Sequence, residues 1–138
     1  VSDYLQSNWG SFGASSPEWD GNIGTFPGSM EVHAHMAAGQ VARAHALTRL
    51  QWGYMLGQPN ATQSTFWEGY NADGSFNFQG IYMSNAHGWA TGPAAALTMG
   101  TLGIRSRRVG GVSYSVQPRF GGLQHCRGRL SFGPGLKI

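Results

Sequence analysis

The 138 residues suit a single domain, and 41% hydrophobic and 12% aromatic content is enough for a packed core. Only 11% of residues are charged, well below the usual share, so a lone globule would be poorly solvated and part of its surface is expected to be covered by more protein. All six acidic residues precede residue 74, whereas seven of the nine basic ones lie at or beyond residue 105, scattered among Gly, Val and Leu rather than along a helix, which argues against nucleic acid.

In chain order, residues 1–9 read as the end of a helix or a docking segment. Residues 10–29 are rich in Gly, Ser and Pro and predict a long loop, pinned by Trp9, Phe12, Trp19 and Phe26. Ser29 is a candidate N-cap, with Glu31 in the first turn. Val32, Met36, Ala37, Val41, Ala44, Leu47, Leu50 and Tyr54 recur at three- and four-residue steps, which predicts one apolar helix face. Gly57, Gln58 and Pro59 end that helix. Residues 60–63 form a turn carrying the N-glycosylation sequon Asn60-Ala61-Thr62, a feature of secreted surface loops.

Residues 64–84 predict an ordered loop with short strand pairs, bent sharply at Asp73-Gly74. Residues 85–102 predict a second helix. Its regular part starts near Thr91, since Pro93 is tolerated only in a first turn or at a kink, and Gly103 closes it. Residues 112–116 and 123–132 read as strands. The change in composition near residue 105 marks a boundary. Cys126 is the one cysteine, which excludes an internal disulfide, and it reads as a small core hydrophobe. No apolar run is long enough for a membrane span and no signal peptide is visible at Val1, so a secreted form would have lost its signal or carry it upstream.

The strongest chemical signal is Glu68. It lies among Phe66, Trp67 and Tyr70, where a carboxylate could take a proton from water and rings could wall a sugar, with Thr65 capping the turn. The plain alternative is an exposed Glu in an aromatic loop. His87, beside Asn85 and Trp89, could donate to a sugar hydroxyl or hold a carboxylate, or serve only as a capping or core histidine. His33 and His35 point to different helix faces and make poor joint metal ligands. Glu31 and His35 share a face and predict a hydrogen bond or ion pair. No metal or other cofactor is expected, and neither a Ser–His–acid arrangement nor a phosphate loop is read from the sequence.

Several stretches together resemble the C-terminal part of fungal α-L-rhamnosidases of glycoside hydrolase family 78, the six-hairpin (α/α)6-barrel kind. They are Gln51-Trp52-Gly53-Tyr54-Met55, Ser64-Thr65-Phe66-Trp67-Glu68-Gly69-Tyr70, Asp73-Gly74-Ser75 and Ala86-His87-Gly88-Trp89-Ala90-Thr91-Gly92-Pro93, with Asn8-Trp9-Gly10, Glu18, Glu31 and His35 in support. The match covers roughly residues 5–104, in order. The resemblance implies a mainly α fold. Residues 1–104 would be the last hairpins of the barrel, and 105–138 the start of a C-terminal β domain, diverged or truncated.

It also implies an inverting hydrolysis of terminal α-L-rhamnose, with Glu68 as general base and His87 contacting the sugar. Trp67, Tyr70 and Trp89 are candidates for the pocket wall. The family's general acid lies in upstream hairpins absent from these residues. The chain is therefore expected to be a fragment or processed subunit, inactive alone, whose partners are a rhamnose-containing carbohydrate and the remainder of the barrel. The competing reading is a non-catalytic carbohydrate-binding or subunit-interaction piece, with nucleic-acid binding through 105–138 a distant third.

Overall fold

The computed structural model describes residues 1–76, 82–109, 113–132 and 136–137. The described chain is mainly helical, with short antiparallel strand pairs between and after the helices. In order come α1 (Ser2–Gln6), a 3-10 turn (Pro17–Trp19), β1 (Ile23–Gly24), α2 (Thr25–Ala37), α3 (Val41–Gly57) and β2 (Gly69–Tyr70). A second 3-10 turn (Gly88–Thr91) leads into α4 (Gly92–Ala96), which continues as a π-helical turn (Leu97–Thr101). The strands β3 (Ile104–Ser106), β4 (Tyr114–Val116), β5 (Ser131–Phe132) and β6 (Leu136–Lys137) follow. β1 pairs with β2, β3 with β4, and β5 with β6.

The single apolar helix expected from residue 29 onward is two helices. The break is a Schellman turn: Gly39 adopts φ +75°, its N–H donates to the Met36 carbonyl at 3.2 Å, and the Gln40 N–H donates to the His35 carbonyl at 2.9 Å. Three- and four-residue periodicity runs across the break, which hides it from a pattern reading. The start differs as well. α2 begins at Thr25, after Gly24, so Ser29 is not a cap: it lies buried inside the helix, its hydroxyl donating to the Thr25 carbonyl at 2.8 Å. Pro27 fits because first-turn positions need no backbone donor. The other end, at Gly57, is where Gly57-Gln58-Pro59 put it.

α2 packs on both α3 and α4. The core gathers Val32 and Met36 from α2, Ala44, Leu47, Trp52 and Met55 from α3, and Ile23, Trp67, Tyr70 and Ala96 from the surrounding segments. Burial of a side chain of this size is worth about 1.5–3 kcal/mol. Gln51 threads between the elements. Its amide donates to the Gly24 carbonyl at 3.2 Å and accepts the Ala14 N–H at 3.3 Å. A Cβ on Gly28 would lie 2.5 Å from that amide, so only glycine lets α2 approach α3 there. The loop of residues 10–24 is thus ordered, with its own 3-10 turn and strand, and α1 precedes it.

The second predicted helix is present in composite form. The Trp52 indole N–H donates to the Ala90 carbonyl at 2.7 Å and fixes the 3-10 turn on α3. Pro93 lies in the first turn of α4, as expected, and Gly103 at φ +70° closes the segment. Beyond it β4 contains part of the expected strand; residues 110–112 lie outside the described residues. Residues 123–130 are irregular, not a strand, and only Ser131–Phe132 pairs, with Leu136–Lys137. Cys126 is a free, half-buried thiol.

Candidate functional site

The stretch 66–68 is held from two sides. On one, the first residue of α2 grips it. The Thr25 hydroxyl donates to the carbonyls of Trp67 and Glu68 at 2.7 and 2.9 Å, and the Thr25 N–H donates to the Glu68 carbonyl at 3.1 Å. On the other, the Glu68 N–H donates to the Ser84 carbonyl at 2.8 Å and the His87 N–H to the Phe66 carbonyl at 2.9 Å. Next in line, β2 pairs with β1 through Tyr70 opposite Ile23 and Gly69 opposite Gly24. Glu68 therefore has a fixed backbone, with each of its main-chain polar groups satisfied.

Its carboxylate is left accessible. The Glu68 side chain is 17% exposed and accepts the Ser84 N–H at 3.1 Å on Oε2. The same oxygen lies 3.7 Å from Nδ1 of His87, whose side chain is 31% exposed. That separation is beyond hydrogen-bond range but close enough for one bridging atom, or a small movement, to couple the two groups. The structure thus brings Glu68 and His87, nineteen residues apart in sequence, to one place.

The aromatic surround is not the one expected. Trp67 and Tyr70, expected to wall a sugar pocket beside Glu68, have rings almost wholly buried in the core. Trp67 packs against Phe76 with ring centres 4.3 Å apart and tilted by 55°, and the Tyr70 hydroxyl donates to the Phe12 carbonyl at 2.7 Å, while burial pushes its phenol pKa up. They brace the stretch from below; the sequence marks them as aromatic but not which way they face. Trp89 does lie at the surface, 36% exposed, with its ring 4.4 Å from that of His87.

Two further rings join it that were expected only to pin a loop. Phe26 stacks on Trp89 at 5.5 Å and 26°, and Trp19 lies 6.2 Å from Trp89. Trp19 also presses on Gly69, where a Cβ would meet its ring at 2.5 Å. No local signal points to this role, because each contact spans more than forty residues of sequence.

Trp67 also lines a separate cavity of about 370 Å³ together with Asn60, Ala61, Thr62, Phe76 and Asn85. Asn60, one of these lining residues, is exposed. Thr65 does not cap the turn. Thr62 does, accepting the Thr65 N–H at 3.1 Å, with 2.5 Å between the two hydroxyl oxygens.

A second histidine–carboxylate pair lies elsewhere. His35 Nε2 is 3.1 Å from Glu31 Oε1, and the Trp9 indole N–H donates to the same oxygen. Ser2 Oγ lies 2.8 Å from His35 Nδ1 and accepts from Arg43 at 2.5 Å, and Arg43 pairs with Asp3 at 2.8 Å. So a Ser–His–acid line exists, although none was read from the sequence; Ser2 reaches it only through the docking of α1 on α2. With His35 wholly buried and Glu31 occupied by two donors, it ties the N-terminal segment to α2 and α3. His33 instead faces α4, 3.0 Å from the Gly92 carbonyl, so the two histidines do point apart. Among the described residues, no group of three or more His, Cys, Asp or Glu side chains could hold a metal ion.

No protein-family model matches this chain, and no curated protein matches it.

Proposed function

We propose that this chain contributes the base side of an inverting glycosidase site acting on terminal α-L-rhamnosides. The observation that carries the reading is Glu68: an accessible carboxylate on a fixed backbone, next to a half-exposed histidine and an exposed tryptophan. In an inverting reaction a carboxylate takes a proton from the water that attacks the anomeric carbon, and a carboxylic acid on the other face protonates the leaving oxygen. Glu68 fits the first role by its access and its rigid placement. His87 fits a donor to a sugar hydroxyl. Trp89 offers an aromatic face to the apolar side of a pyranose.

The acid belongs to a part of the barrel beyond these residues. Glu31 is tied into the packing instead, its Oε1 engaged by both Trp9 and His35. The helices α2, α3 and α4 are read as hairpin elements of an (α/α)6 barrel. The large apolar side chains of Met30, Leu56, Leu97 and Met99, exposed in this chain, would be covered by its remaining hairpins.

The test is turnover of an aryl α-L-rhamnoside by the protein containing the complete barrel. Glu68→Gln keeps the size and the acceptor for Ser84 but cannot act as a base, and should lower kcat by about 10²–10⁴-fold with the fold intact. Turnover near that of the unaltered protein would remove Glu68 from the mechanism.

A further inference from the structure

We infer that Asn60 is the acceptor of an N-linked glycan and that the cavity beside it seats the first sugar of that glycan, an N-acetylhexosamine. Asn60-Ala61-Thr62 is the one Asn-x-Ser/Thr sequon in the sequence. The fold leaves the Asn60 side chain spare. The turn around it is built by its neighbours: the Ala61 N–H donates to the Gln58 carbonyl at 3.2 Å, and Thr62 Oγ1 accepts the N–H groups of Ser64 and Thr65 at 3.4 and 3.1 Å. Asn60 is exposed, and among the described residues its amide meets no hydrogen-bond partner of good geometry. It can therefore be modified without breaking the turn. The transfer forms a bond from Asn60 Nδ2 to the anomeric carbon of an oligosaccharide and breaks the bond from that carbon to the diphosphate of a polyprenyl diphosphate donor. The amide nitrogen gives up one proton and polyprenyl diphosphate leaves.

The cavity is about 370 Å³, at the small end of ligand pockets, which is room for one sugar ring rather than a chain. Its lining is uncharged: Asn60, Ala61 and Thr62 from the turn, Trp67 and Phe76 as aromatic surface, and Asn85 as a second amide. A neutral occupant with an apolar face and amide-bonding groups suits these walls. Phe76 is half-buried, its ring braced by Trp67, and can meet the apolar face of a pyranose. Asn85 is exposed, and among the described residues its amide too meets no hydrogen-bond partner of good geometry, so it can pair with the acetamido group of an amino sugar. A sugar tied to Asn60 is held at high local concentration, so weak contacts of this kind suffice to seat it. The seat draws on neither Glu68 nor His87 and is independent of what the protein hydrolyses.

The experiment starts with the protein from its natural source. The tryptic peptide of residues 50–105, cut after Arg49 and Arg105, is weighed before and after treatment with peptide N-glycosidase. It should lose the mass of a glycan, with the Asn60 amide converted to a carboxylate; an unmodified peptide overturns the inference. The protein is then made in a secretory host and trimmed to a single N-acetylglucosamine, and its Tm is compared with that of Asn60→Gln, which cannot accept a glycan. The retained sugar should raise Tm by about 3 °C. The same pair of measurements in a Phe76→Leu background should show no gain, the cost of the substitution itself cancelling in the cycle. Asn85→Ala, at an exposed position, should lower the gain by about half. If the sugar gives no gain, or the gain survives in Phe76→Leu, the seat is overturned even where Asn60 carries a glycan.

Discussion

Two carboxylate–histidine pairs in this chain use the same residue types to opposite ends. Glu31 and His35 are a turn apart on α2 and 3.1 Å apart; the His35 side chain is wholly buried, Trp9 donates to the same Glu31 oxygen, and Ser2 meets the other His35 nitrogen. Glu68 and His87 come from separate loops, sit 3.7 Å apart, and face solvent in part. The first pair is built into the packing: one Glu31 oxygen serves two donors and both His35 ring nitrogens have partners within the protein. The second has a fixed backbone and side chains with unused capacity. What distinguishes a candidate site from a structural clamp here is not the pair itself but what remains unsatisfied after folding.

Removing each carboxylate should break that symmetry most visibly. Glu31→Ala strands the Trp9 indole N–H and His35 Nε2 in a buried setting and should cost about 3 kcal/mol of stability. Glu68→Ala leaves one backbone N–H, on Ser84, that water can reach, and should cost about 1 kcal/mol or less. Urea midpoints for the two variants against the parent chain measure the difference. Equal losses would show that Glu68 is as much a clamp as Glu31, and would undercut its role in chemistry.

The parts of this contrast that could be read from sequence are those set by neighbours. Glu31 and His35 at a four-residue spacing share a helix face. Gly57-Gln58-Pro59, Pro93 and Asp73-Gly74 act through their own backbone restrictions, so the helix end, the first turn of α4 and the sharp bend were all legible. The break at Gly39 was not, because Val41 and Ala44 keep step with Met36 and Ala37 across it, and only the positive φ of Gly39 reveals two helices. The start of α2 at Thr25 depends on β1 pairing with a strand forty-six residues away, and a pattern reading has no access to that pairing. For the same reason Trp19 and Phe26 read as loop pins, while Trp67 and Tyr70, adjacent to Glu68 in sequence, read as its walls. Proximity in the chain favoured the wrong rings for the solvent face of the site.

A third histidine sharpens the comparison, because it is buried without a carboxylate. His45 Nε2 lies 2.7 Å from the Thr101 hydroxyl, and among the described residues its Nδ1 meets no hydrogen-bond partner of good geometry. Burial, and then the nearby Arg49 guanidinium, hold its pKa below the ordinary 6.5. The unfolded chain therefore takes up a proton near pH 6.5 that the folded chain refuses, so this contribution to stability is full above that pH and is lost as the pH falls below it. His45→Gln should flatten the acid slope of stability by up to about 1.4 kcal/mol per pH unit just below pH 6.5, read from urea midpoints at several pH values. An unchanged slope would mean that the ring is solvated in its folded setting.

Asp73 supplies the mildest test and the most discriminating one for the idea that an open carboxylate marks a site. Like Glu68 it is accessible, but its bonds are to its own turn: Oδ1 accepts the Ser75 N–H at 2.9 Å, while the Asn71 N–H donates to the Ser75 carbonyl at 2.9 Å and Gly74 takes φ +87°. The bond from the Ser75 N–H, and then from its side chain, lowers the Asp73 pKa below the ordinary 3.8. A carboxylate so lowered stabilises the turn above that pH, and the contribution fades as acid protonates it. Asp73→Asn keeps an acceptor for Ser75 and, on the proposed glycosidase reading, should leave rhamnoside turnover within about twofold, whereas Asp73→Ala should loosen the turn without a selective loss of that activity. If Asp73→Asn instead lowered turnover as far as Glu68→Gln, accessibility combined with a fixed backbone would no longer single out Glu68, and the base would have to be sought in the turn that follows it.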